Sequence, residues 1–236
     1  MSGVGTTEPP ASGGAGSAGA GTGNREARTE ILARISAALH DAPPPPAAAR
    51  GYRHAGTLEA GERVDLFCER VGEYRADVRR VSSVELAAAI STVCREHAAH
   101  RLGVPPGLPA AWRPASAEPV EDARLTPRQL DALDGVLTGC TVAIAETGTI
   151  ALTGGPREGR RALTLVPDLH ICVVEETQIV ELVPEGLALL ASLVAGERRP
   201  VTLVSGPSAT SDIELSRVEG VHGPRRLVVL VVSEPG

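Results

Sequence analysis

Glu146, His222 and the hydroxyl- and carboxylate-rich stretch from Gly206 to Glu214 are the residues of this chain best equipped for chemistry. Ser208, Thr210, Ser211, Asp212 and Glu214 crowd behind Gly206 and Pro207, and Gly220-Val-His-Gly-Pro224 follows after a short spacer. Pro207 fixes one φ and offers no N–H, while Gly206 permits close approach of backbone. Hydroxyls and exposed amides in such a loop can hold a phosphate or carboxylate, above all where a helical turn begins at Ser208. Equally, Ser208 can be an N-cap, with Asp212 satisfying the loop's own N–H groups. His222, set between Val221 and Gly223, can shuttle a proton or donate to an anionic substrate. Its ring can also simply lock the loop by bonding a carbonyl, Asp212 or Glu214.

The second candidate is the turn Glu146-Thr147-Gly148-Thr149, where Gly148 supplies the positive φ that a tight reversal needs. A carboxylate at a strand end can act as base, nucleophile or acceptor, because partial burial raises its pKa towards neutrality. The alternative is a hairpin acid held by the amides of Gly148 and Thr149. His170 reads as a satisfied core histidine. Arg157, within the glycine-rich segment 154–159, and Arg160 and Arg161 just after it belong to a stretch that has neither a dinucleotide fingerprint nor a Walker A pattern. It is expected to be a mobile flap whose arginines capture an oxyanion bidentately. Asp212, Glu214, His222 and His170 lack metal-ligand spacing, so no metal is expected.

These residues need a scaffold. Val201–Val204 and Leu227–Val232 flank the loop as continuous apolar runs, the mark of strands buried on both faces. Thr141–Ala145, Ile150–Leu152, His170–Val174, the stretch holding Val78 and Val81, and Gly103-Val104 complete the strand set. Helices are predicted over Glu59–Tyr74, about Ser83–His100 behind a Ser82/Glu85 capping box, Thr126–Leu133 with Pro127 at N1, and Pro184–Ala195. Alternating strands and helices predict a three-layer α/β domain with a mostly parallel sheet over 47–236. Ahead of it, residues 1–24 are too poor in large apolar groups to order, and 25–46 form a helical arm ended by the prolines 43–46.

With 236 residues and 42% hydrophobic content, the chain supports one sizeable domain whose core is aliphatic, since aromatics are only 2%. All 23 basic residues are arginine, which excludes Schiff-base and Walker-A lysine chemistry. A net charge of −6 argues against nucleic acid as a partner. No run of about 18 apolar residues predicts a membrane span, and no leader is visible, so the cytoplasm is the expected location. Cys68, Cys94, Cys140 and Cys172 are too dispersed for an iron–sulfur or structural zinc site and read as buried or half-buried thiols.

Gly206-Pro-Ser-Ala-Thr-Ser-Asp-Ile-Glu214 with Gly220-Val-His-Gly-Pro224, preceded by Ala145-Glu-Thr-Gly-Thr-Ile-Ala-Leu152 and Val166-Pro-Asp-Leu-His170, resembles the lactate-utilisation protein C family and its LUD domain. The match runs from about Thr138 to Val232. Ala209 stands where many relatives have arginine. The resemblance implies the fold shared by ribose-phosphate isomerases, glucosamine-phosphate deaminases and coenzyme A transferases. It also implies a cytoplasmic, non-redox subunit supporting oxidation of L-lactate to pyruvate, with iron–sulfur clusters in partner subunits and no cofactor in this chain. Two other functions stand beside it. One is a stand-alone acyl or coenzyme A transferase, or a ligase, using Glu146. The other is a purely structural assembly subunit.

Overall fold

The computed structural model describes residues 20–41, 48–49, 51–210, 218–219 and 222–233. The chain divides into two compact units, Met1–Gly51 and Tyr52–Gly236. In the first, helix α1 (Ala20–Ala38) leaves Ile31, Leu32 and Ile35 exposed. It begins five residues earlier than the expected arm. Residues 20–24 are therefore helical, and the rest of the expected disordered tail lies outside the described residues, as do the prolines at 43–46.

The second unit centres on six parallel strands. In chain order these are β1 (Asp77–Ser82), β2 (Arg101–Val104), β3 (Glu118–Glu121), β4 (Gly135–Thr138), β7 (Leu169–Glu175) and β12 (Arg226–Ser233). Their spatial order is β1-β12-β7-β4-β2-β3, so the two most apolar segments lie side by side near the middle. Strand periodicity then sorts the core. Val228, Leu230 and Val232, with Leu169, Ile171 and Val173, face helix α3 (Leu86–Glu96) through its Leu86, Ile90 and Val93. Leu227, Val229 and Val231, with Cys172 and Val174, face the opposite way, onto Val64, Phe67 and Val71 of helix α2 (Ala60–Glu73).

That second face carries more than helices. Strands β5 (Val142–Ile144), β6 (Thr149–Leu152), β8 (Ile179–Val180) and β9 (Thr202–Val204) form a separate sheet in the order β8-β5-β6-β9. In it β5 pairs antiparallel with β6, and β6 with β9. Ala143, Ile150 and Leu152 pack inward against the main sheet's core, and helix α5 (Val183–Glu197) covers Val142 and Ala151 from outside through Leu190. The architecture is thus mixed α/β with a mostly parallel central sheet, but one face is screened by a sheet as well as a helix.

Two expectations change as a result. The flanks of the 206–224 loop belong to different sheets, and Thr202–Val204 is a partly exposed edge strand, not one buried on both faces. An edge strand lacks a neighbour to cover it, and Leu203 accordingly sits at 56% exposure. Local signals fared well elsewhere. Thr126 caps helix α4 (Pro127–Asp131) with Gln129 completing the capping box. Glu85 reaches back to the Ser82 N–H and hydroxyl, although α3 opens only at Leu86.

Candidate functional site

Where the end of β9 and the starts of β7 and β12 converge, the chain encloses a cavity of about 610 Å³. Its polar lining comes from Arg161, Thr164, His170, Thr202, Ser205, Ser208 and His222, and its apolar lining includes Tyr74, Leu203, Val204 and Leu227. Gly206, Pro207, Gly223 and Pro224 complete the wall. Six of the residues singled out from sequence as ligand contacts are therefore brought together here: Arg161, Gly206, Pro207, Ser208, His222 and Gly223.

The two halves of the loop are stitched across the cavity wall. The Ser208 N–H donates to the Pro224 carbonyl at 2.7 Å, and the His222 N–H donates to Ser208 Oγ at 3.1 Å. Beyond them, β10 (Ala209–Thr210) pairs antiparallel with β11 (Val218–Glu219), making a hairpin. Thr210 enters as backbone of that hairpin. Ser211, Asp212 and Glu214 lie outside the described residues. Gly206 is needed for contact: a Cβ there would sit 2.6 Å from Cβ of Tyr74. The loop is thereby seated on the residue that ends α2.

His170 is both things at once. It is buried at 2% exposure, with Nε2 2.8 Å from Thr138 Oγ1, and it also forms part of the cavity floor. The alternation of β7 turns His170 and Cys172 to the same face, so the floor continues inward to a thiol pair. Cys172 and Cys140 are free and buried. A hydrogen bond between them favours the thiolate at Cys172, against burial and with help from His170, and pushes the Cys140 thiol well up. Sequence alone predicts a core role for His170. Its hint was the Val166-Pro-Asp-Leu-His170 motif, which sets an imidazole at a strand's first turn inward beside the loop.

The arginines of the glycine-rich segment divide. Arg160 forks onto buried Asp122 at 2.7 and 2.9 Å, and Arg157 pairs with Glu175 at 2.8 Å while stacking over Trp112. The segment expected as a mobile flap is hydrogen-bonded into the fold. Glu158, buried, accepts from the N–H groups of Thr153 and Gly155 and from the Thr141 hydroxyl, tying both ends down. Only Arg161 reaches the cavity, donating to Thr164 Oγ1 and to the His222 carbonyl, each at 3.3 Å. No carboxylate pairs with it among the described residues, and desolvation alone pulls its pKa below the ordinary arginine value.

Glu146 is placed differently from the loop. Its carboxylate meets Arg53 at 2.8 Å and is not among the cavity-lining residues. Arg53 also reaches buried Glu181 at 3.4 Å; Glu181 in turn accepts from the N–H groups of Thr57 and Leu58. The N–H groups of Gly56 and Leu182 hold the Glu185 carboxyl below its usual range. This acidic group therefore fastens the 53–58 segment to the sheet. Gly148 has φ of +57°, as anticipated, and a Cβ would stand 2.7 Å from the Val71 nitrogen. Thr147 and Thr149 bond each other at 2.8 Å, and Thr149 reaches Ser205 Oγ at 2.9 Å. The Glu146 turn and the 206–224 loop are thus two neighbouring sites that touch through Thr149 and Ser205, with the carboxylate of Glu146 turned towards Arg53.

Among the described residues no group of His, Cys, Asp and Glu is arranged to hold a metal, and no helix is long and apolar enough to cross a membrane.

Comparison with known proteins places this arrangement. The LUD domain model matches residues 64–232. Lactate utilization protein C of Deinococcus radiodurans is 48% identical over 209 residues, covering 88% of this chain and 96% of the relative. Lactate utilization protein C of Halalkalibacterium halodurans is 30% identical over 186 residues, covering 72% and 79%. A crystal structure of a DUF162 family protein from Deinococcus radiodurans superposes with a TM-score of 0.65 at 43% identity, covering 75% of this chain and 99% of that one. With the domain model spanning most of the sequence and the match extending through the cavity-forming loop, the chain belongs to the lactate-utilisation protein C family of LUD domain proteins.

Proposed function

We propose that this protein is a component of the L-lactate utilisation system, supporting oxidation of L-lactate to pyruvate in the cytoplasm together with iron–sulfur subunits. The observation that carries this reading is the 48% identity, over nearly the whole length of both chains, to a protein named for lactate utilisation. In this reading the electrons leave through clusters held by the partner subunits. This chain contributes a binding surface: its cavity offers cationic and hydroxyl donors suited to an oxyanion. The parallel sheet flanked by helices fits the ribose-phosphate isomerase and coenzyme A transferase type of fold.

A transferase using Glu146 as nucleophile needs that carboxylate in the cavity; paired with Arg53 outside it, Glu146 gives that reading no support. Deleting the gene is expected to abolish growth on L-lactate while leaving growth on pyruvate intact. Unimpaired growth on lactate would overturn the assignment. Lactate-dependent dye reduction by the co-purified neighbouring gene products, with and without this chain, tests the partnership directly.

A further inference from the structure

The cavity is large for lactate. At about 30 Å³ per water-sized group, 610 Å³ holds roughly twenty such groups, whereas lactate has only about six non-hydrogen atoms. It falls instead in the range of about 300–1,000 Å³ that accommodates larger organic ligands. Its lining is also divided. Val204, Leu227 and Tyr74 belong to its apolar lining, while Arg161 and His222 stand with Ser208 beside the stitched loop. Among the described residues that line it there is no Asp or Glu. Arg161, unlike Arg157 and Arg160, has only neutral partners among the described residues, a hydroxyl and a carbonyl. A guanidinium with no carboxylate beside it keeps most of its donor fork for an oxyanion.

We infer that this cavity binds an amphipathic organic anion larger than lactate, with its carboxylate or phosphate on Arg161 and its apolar body against Val204 and Leu227. Arg161 anchors the head group, His222 and Ser208 border it, and the edge strand β9 supplies the wall that selects for length. The inference stands on the cavity and not on the pathway, so it can fail while the lactate assignment survives, and the reverse.

Titration calorimetry on the full chain with five probes decides it: L-lactate, inorganic phosphate, hexanoate, hexyl phosphate and hexanol. Hexanoate or hexyl phosphate is expected to bind at least tenfold tighter than lactate and inorganic phosphate, and hexanol not at all; which of the two wins identifies the head group. Arg161→Gln should weaken the better probe at least tenfold. Leu203→Glu, a change at an exposed position, should weaken it comparably by setting a like charge against the anion, and the loss should shrink at high salt. Glu146→Gln should leave it unchanged. Absence of saturable binding by both six-carbon anions, lactate binding as tightly as they do, or undiminished binding by Arg161→Gln would each overturn the inference.

Discussion

Arg160 and Arg161 adjoin in sequence, yet Arg160 clamps Asp122 and Arg161 borders the cavity. Burial of Asp122 raises its pKa, but the Arg160 fork and the Leu125 and Arg124 N–H groups outweigh it, and the net shift is downward. A carboxyl with a depressed folded pKa stabilises the fold above its unfolded value and loses that contribution as pH falls through the folded one. The Asp122 contribution is therefore complete above about pH 4 and disappears at more acid pH. Asp122→Asn is expected to cost about 2 kcal/mol at neutral pH, read from urea midpoints. The gap between variant and parent should narrow in acid; a gap independent of pH would refute the linkage. Removing the Arg53–Glu146 pair is a different case. With both side chains well exposed, Glu146→Gln should shift stability by only about 0.5 kcal/mol, and a loss of several-fold that size would show that the pair is buried in solution.

Each connecting element has a position it cannot lose. The β5–β6 turn needs Gly148 twice over, for its positive φ and for the approach of α2 behind it. Gly148→Ala should destabilise by about 2 kcal/mol or more, the conformational cost alone being of that order, measurable by thermal denaturation. A neutral result would mean that the turn relaxes freely. The loop between β9 and β12 depends instead on Ser208, whose amide and hydroxyl join it to Pro224 and His222. Ser208→Ala keeps the amide bond and loses the hydroxyl, so a cost of about 1 kcal/mol is expected.

All buried clusters draw on residues between Val64 and Val232. A chain truncated to Tyr52–Gly236 therefore keeps every core residue and is expected to unfold in one cooperative transition, with a midpoint close to that of the full chain. A broad or absent transition would show that the first unit is required for folding. The second sheet matters to the same packing: it shields Val229 and Val231 while β9 leaves its outer edge open beside the cavity.

Much of the fold is legible in the chain itself. Continuous apolar runs marked β7 and β12 as central strands, because a strand buried on both faces has no polar alternation to keep. Thr126 with Pro127, and Gly148, declared a cap and a tight turn through short-range sterics. The Ser208 and His222 segments announced a shared loop by their density of turn and hydroxyl residues. Partnership at a distance was not legible. Nothing local distinguishes Arg161 from Arg160, says that Glu146 meets Arg53, or reveals that Thr202–Val204 joins another sheet at its edge. Periodicity encodes which face of an element is apolar, but not which element arrives to cover it; that choice belongs to packing across the chain, and here it set His170 in the cavity floor and turned Glu146 away.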